Sequence, residues 1–192
     1  MKTKIFTLLV CSILASCSKD NNADQTFYLE EYYFNDYITT TGFNQEVVTR
    51  INSDTYEFGS EFTPLVDGKI TKIAVNLPQA NPILRITIWD KISQSPIKTE
   101  IVNYTEVNNT QIFDLTDILL QKNKEYAITM NNNDWVERSK TNGETVNYPI
   151  IIGNIKVTGY KFITGTLQVY PNSSNQTHYY AGDLSFYFLQ TE

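Results

Sequence analysis

Two tryptophans, one histidine and two cysteines carry most of the specialised chemistry this chain of 192 residues could display. Trp135 sits in "NNNDWVERS", where Asn131, Asn132, Asn133 and Asp134 put amides and a carboxylate beside an indole. An aromatic face covers the apolar face of a sugar ring while neighbouring polar groups bond its hydroxyls, so this pattern is that of a glycan contact. The same oxygens are of calcium-ligating type, but no spacing calls for the ion and no cofactor or metal is expected. Trp89 closes "ILRITIWD"; by strand parity it points away from Leu84, Ile86 and Ile88, along with Arg85 and Thr87. Tyr170, His178, Tyr179 and Tyr180 border the loop "PNSSNQ", and a tyrosine's apolar body and polar tip suit a contact surface or a sheet edge. For both tryptophans a plainer alternative is preferred: Trp89 packs beneath a second covered sheet face, and Trp135 caps the core from an Asn-rich hairpin loop.

Catalysis has little to build on. With a single histidine, His178, neither a Ser-His-Asp triad nor a two-histidine metal site can be assembled within the chain. Gly-rich phosphate loops and zinc-spaced clusters are missing from the sequence. Asp90, Asp114, Asp117 and Asp134 could serve glycoside hydrolysis only by converging in pairs, whereas scattered acids are ordinarily surface charge. No enzyme is expected.

The cysteines raise a separate question. Lys2 and Lys4 precede an apolar stretch over residues 5–15, and small residues Ala15 and Ser16 lead into Cys17. This is the three-part layout of a secretory signal. A helix over that stretch would rise roughly 16 Å against a hydrocarbon core of roughly 30 Å, too short to span. "LASC", Leu14 to Cys17, resembles the lipobox of bacterial lipoproteins. The resemblance implies cleavage after Ser16, lipid on the Cys17 thiol and an acylated amine at the new first residue. An anchor of more than one acyl chain holds stably where one chain does not. Cys11 would leave with residues 1–16, so no disulfide is expected. In such lipoproteins an aspartate after the cysteine resembles an inner-membrane retention signal; Ser18 stands there, implying the outer membrane. The Ser18-Lys19-Asp20 start resembles a surface-export tag, and residues 17–26 read as a polar tether.

Residues 27–192 form one expected domain. Removing residues 1–16 takes Lys2 and Lys4 away and moves the net charge from -6 to -8. An acidic chain with no basic cluster argues against nucleic acid and against electrostatic attachment to anionic lipid. Hydrophobic residues at 41% and aromatics at 13% suffice for a packed core. Period-two alternation dominates from the middle onward, aligning Ile73, Val75 and Leu77, then Leu84, Ile86 and Ile88, then Tyr126, Ile128 and Met130, then Leu184, Phe186 and Phe188. Further strands are expected over 97–104, 111–115, 125–130, 150–160 and 183–189; "FYLEEYYFNDYITTTGFN" reads as strand or one short helix, and an opening strand plus loops is preferred over residues 27–62. Short strands between Asn, Gly, Pro and Ser clusters predict an all-β fold, an antiparallel two-sheet β-sandwich.

"EFTPLVDGKITKIAVNLP", "LRITIWD", "IFDLTDILLQKNKEYAITM" and "AGDLSFYFL" together resemble the jelly-roll-like sandwiches of bacterial surface and carbohydrate-active proteins, over residues 58–189. The resemblance speaks for fold more than function. Two functional expectations follow. One is a surface-exposed, non-catalytic module binding glycan or another extracellular polymer through Trp135, Asp134, Asn131 and Asn133, with Trp89, Tyr179 and Tyr180 as further contacts. The other is a structural or adhesive envelope lipoprotein that engages proteins and has no small-ligand site.

Overall fold

The computed structural model describes residues 27–191; the expected signal, Cys17 and the tether lie outside the described residues. Two antiparallel sheets pack face to face, as the alternation predicted. One has the order β1 (Glu31–Tyr32), β11 (Ser185–Gln190), β3 (Gly68–Val75), β6 (Gln111–Leu120). The other runs β5 (Ser95–Tyr104), β4 (Asn81–Asp90), β7 (Tyr126–Ser139), β2 (Glu46–Pro64), β9 (Ile155–Thr164), β8 (Ile150–Ile152), with β10 (Tyr179–Ala181) added beside β7. The chain crosses between sheets at β1 to β2, β2 to β3, β3 to β4, β5 to β6, β6 to β7 and β10 to β11.

The aligned apolar sets all meet in the core. Ile73, Val75, Leu77, Leu84, Ile86, Ile88, Ile128, Met130, Phe186 and Phe188 are fully buried, and Tyr126 and Leu184 nearly so. Burying each such side chain contributes about 1.5–3 kcal/mol. Aromatic contacts join the layers: the Phe62 ring of β2 lies 4.7 Å from that of Phe186 in the opposite sheet.

Two expectations need correction. Residues 27–62 are not an opening strand plus loops: they form the short β1, a helix α1 (Phe34–Thr41) and the 19-residue β2. Phe34, Tyr37, Ile38 and Thr41 recur at helical spacing and bury one face. Gly42, at φ 75°, ends the helix in the left-handed conformation that glycine adopts without a Cβ penalty. The Asn-rich stretch is not a hairpin loop either. It lies inside β7, which runs on to Ser139 with β2 as its partner throughout.

For Trp89 the plainer alternative holds. Parity does place it opposite Leu84, Ile86 and Ile88, but that outer face is roofed by residues 165–177, which return across the sheet after β9. Trp89 is 1% exposed, with its ring 5.7 Å from that of Tyr170 and its Nε1–H donated to Thr129 Oγ1 at 2.7 Å. Beneath the roof lies a polar layer: Glu57 pairs with Arg85 Nη2 at 2.8 Å and accepts from Thr129 Oγ1 at 2.5 Å, while Tyr170 Oη donates to Glu61 at 2.6 Å. Trp89 therefore packs, and offers no face to a ligand.

Candidate functional site: an aromatic cleft at one end of the larger sheet

Between Ile51 and Tyr56, β2 bulges. Residues 52–55 of β2 face the single residue Asn133 of β7. A bulge of this kind bends its strand and re-aims neighbouring side chains. Beyond it, the first half of β2 pairs only with β7, and β10 joins the other side of β7 at Glu137, Arg138 and Ser139. An open cleft of ≈ 330 Å³ lies against this region. Its walls are aromatic: Tyr56 and Phe58 from β2, Trp135 from β7, Tyr160 and Phe162 from β9, and Tyr179 from β10. The size sits at the low end of the range of about 300–1,000 Å³ for small-molecule sites, so it holds a short ligand or the end of a longer one.

The walls brace one another. Trp135 stands at 86° to Tyr56 and 59° to Phe58, with 5.5 Å between ring centroids in both pairs. Tyr56 meets Phe162 edge-on at 6.2 Å, and Tyr160 meets Tyr179 at 6.1 Å. Tyr56, Trp135, Phe162 and Tyr179 are each only half-buried, so part of each ring faces solvent. Trp135 Nε1 is buried with no hydrogen-bond partner among the described residues. At the rim, Arg50 makes a two-point ion pair with Glu137, Nη2 to Oε1 at 2.8 Å and Nε to Oε2 at 3.2 Å, so its charge is balanced. The Tyr179 hydroxyl is pushed above its ordinary pKa, first by burial and then by the Glu137 carboxylate. It stays a neutral donor and acceptor at physiological pH.

The structure separates groups that the sequence sets side by side. Asn131, Asn132 and Asn133 line a second, polar groove of ≈ 470 Å³ with Asn81, Arg85 and Thr166. Each of the three amides already donates within the fold. Asn131 Nδ2 donates to the carbonyls of Tyr56 and Gly165, Asn133 Nδ2 to that of Asn52, and Asn132 Nδ2 to Asp134. Asp134 is 2% exposed and Tyr180 equally buried, its hydroxyl donated to the Leu184 carbonyl. Neither can touch a ligand in this conformation. Of the expected contact residues, Trp135 and Tyr179 come together in the cleft; Arg50, Tyr56 and Phe162 were missed. The alternation in "TYEFGSEF" was the available signal for Tyr56, but with β2 unassigned nothing paired it with Trp135.

The candidate carboxylates do not converge. Asp90 pairs with Lys124 at 2.9 Å and Asp117 with Lys69 at 2.6 Å. Asp114 and Asp117 belong to β6 in the smaller sheet, while Asp90 stands opposite Tyr126, eight residues along β7 from Asp134 and so roughly 27 Å away. Among the described residues, no group of three or more His, Cys, Asp or Glu side chains stands close enough to hold a metal ion. His178 is exposed, with Nδ1 3.1 Å from the Gly143 carbonyl oxygen.

Asp134 carries a measurable cost. Burial raises its carboxyl above the usual range, the Asn132 amide offsets this only in part, and Oδ2 has no partner among the described residues. The folded state therefore holds a proton that the unfolded chain releases near pH 3.9. Stability from this group falls as pH rises from about 3.9 through the raised folded value. Asp134→Asn is expected to stabilise the fold by about 1–3 kcal/mol at neutral pH, with the advantage shrinking as pH falls through that window. Urea unfolding of both proteins across pH reads the difference, and equal stability throughout would refute it. Comparing the two proteins also removes the opposite contribution of Asp90, whose pKa is lowered to about 2 by the Ser93 amide and Lys124.

Compared with known proteins, the chain matches no protein-family model, and no curated protein matches it significantly.

Proposed function

We propose that this protein is a lipoprotein of the outer membrane, held by lipid on Cys17, whose sandwich is a non-catalytic module for a neutral glycan bound in the aromatic cleft. The observation that carries the reading is the cleft itself: four half-buried aromatic rings around a volume of ligand size, with the one rim cation balanced by Glu137. Sugars present apolar C–H faces to such rings and hydroxyls to Arg50, Asn52 and the tyrosine hydroxyls. A ligand oxygen reaching Trp135 Nε1 would give that buried donor an acceptor. An acidic sugar would meet a rim already neutralised, so neutral units are favoured.

A glycan array probed with residues 18–192 tests this. Trp135→Ala is expected to weaken any hit by about tenfold or more, equivalent to about 1.4 kcal/mol, and Tyr179→Ala to weaken it less. Thr166→Ala, in the polar groove, should leave binding unchanged. Signal that survives Trp135→Ala undiminished would place the ligand elsewhere. The anchor has its own measurement: Cys17→Ser abolishes incorporation of labelled fatty acid in cells, and surface export is read by protease accessibility on intact cells.

A further inference from the structure

Edge strands tempt other chains to pair, and proteins ordinarily blunt them. Three edges here are blunted. β5 carries Pro96 and Lys98, β6 breaks register opposite Ile70 and Lys72 and carries Asp114 and Asp117, and β8 has only three residues. The first half of β2 carries no proline, keeps its register from Glu46 to Ile51, and has two charges of opposite sign. From Glu46 to Ile51 it pairs with β7 on one side and with no described strand on the other, since its pairing with β9 starts only at Tyr56. Residues 46–51 are all exposed, among them Val47 at 55%, Val48 at 43% and Ile51 at 60%.

The segment reads Glu46-Val47-Val48-Thr49-Arg50. Pairing it antiparallel with itself about Val48 sets Val48 against Val48, Val47 against Thr49, and Glu46 against Arg50 twice. Directly opposed side chains share a face, and opposite charges or β-branched pairs there stabilise a sheet. Moving the register by one residue sets Glu46 against Ile51, and by two against Asn52, so the matched charges select one register. Arg50 has donors to spare, because Glu137 engages only Nε and Nη2. Glu46 makes only a 3.4 Å contact with Ser139 Oγ.

We infer that two copies of this chain associate across a two-fold axis at Val48, joining their larger sheets through residues 46–50 of β2. The occupant of this edge is a second copy because the segment complements its own charge pattern; the contact shares Arg50 with the rim of the cleft, and sedimentation reads it without any glycan present. An interface of one strand pair is small, and its affinity is correspondingly weak.

The two sheets are built wholly within residues 27–191, so residues 18–192 suffice for sedimentation equilibrium. At up to about 1 mM, a complex of only about 4 kcal/mol is half formed. The wild type is expected to show a monomer–dimer equilibrium. Glu46→Arg alone and Arg50→Glu alone each oppose like charges, and each should be monomeric. Mixing the two matches every charge across the axis, and dimer should return as a heterodimer. Circular dichroism and thermal melts confirm that each variant is folded. A wild type that stays monomeric, a dimer indifferent to either charge reversal, or a mixture that fails to restore it would each overturn the inference. A wild-type monomer that pairs instead with a strand of another protein would also reassign the edge.

Discussion

Replacing Arg138 by methionine is expected to cost about 3–5 kcal/mol of folding stability, the loss that follows when one member of a buried ion pair is removed. Asp183 is 3% exposed and receives both Nε and Nη2 of Arg138, at 2.6 and 2.7 Å. Asn76 adds only a long 3.4 Å contact, so without the guanidinium the carboxylate is stranded. The pair also ties β7 to the turn that leads into β11, and hence the larger sheet to the smaller. Adding Asp183→Asn to Arg138→Met removes the stranded charge. Asparagine tolerates the positive φ of 43° at this position, so the double variant should recover much of the loss. Urea unfolding of the four proteins of this cycle gives the coupling directly. Additive losses would show that the two side chains do not act as a pair.

Phe62→Ala is expected to be as damaging, at about 3–5 kcal/mol, through the cavity it opens where the sheets meet. Phe62 is fully buried, with its ring 5.8 Å from Tyr126 within its own sheet and 4.7 Å from Phe186 across the interface. Neighbouring strands hold the backbone on both sides of Phe62, in register with Tyr126 and Val157, so the site cannot collapse to fill the void. The urea midpoint should drop with the slope unchanged, since the native architecture persists. A loss below about 1 kcal/mol would mean that the core relaxes around the change. Trp135→Ala, at a half-buried wall of the cleft, should cost much less, and the two substitutions together separate what holds the fold from what faces the ligand.

How far the sequence was legible depended on who the neighbours were. Leu84, Ile86 and Ile88, or Leu184, Phe186 and Phe188, announce their strands because one face of each strand meets the core, and alternation is the imprint of that contact. The helix Phe34–Thr41 ranked behind a strand because its eight residues include Tyr, Ile and Thr, which favour strands when nothing else decides. "NNND" looked like a loop because asparagine is a turn residue; inside β7 the amides instead bond backbone carbonyls at the β2 bulge and in the roof. Tertiary partners supplied what local propensity withheld.

The amino-acid sequence by itself determined the two-sheet class, the strands that line the core, and which face of β4 carries Trp89, because alternation and parity are local properties of an extended chain. Only the tertiary structure decided what became of those side chains. The roof formed by residues 165–177 decided for packing at Trp89, and Trp135 lines the cleft with Tyr56 and Tyr179 while the asparagines beside it line another groove. Contacts between residues tens of positions apart have no periodic signature, and both the aromatic cleft and the open edge of β2 are made of such contacts and their absence.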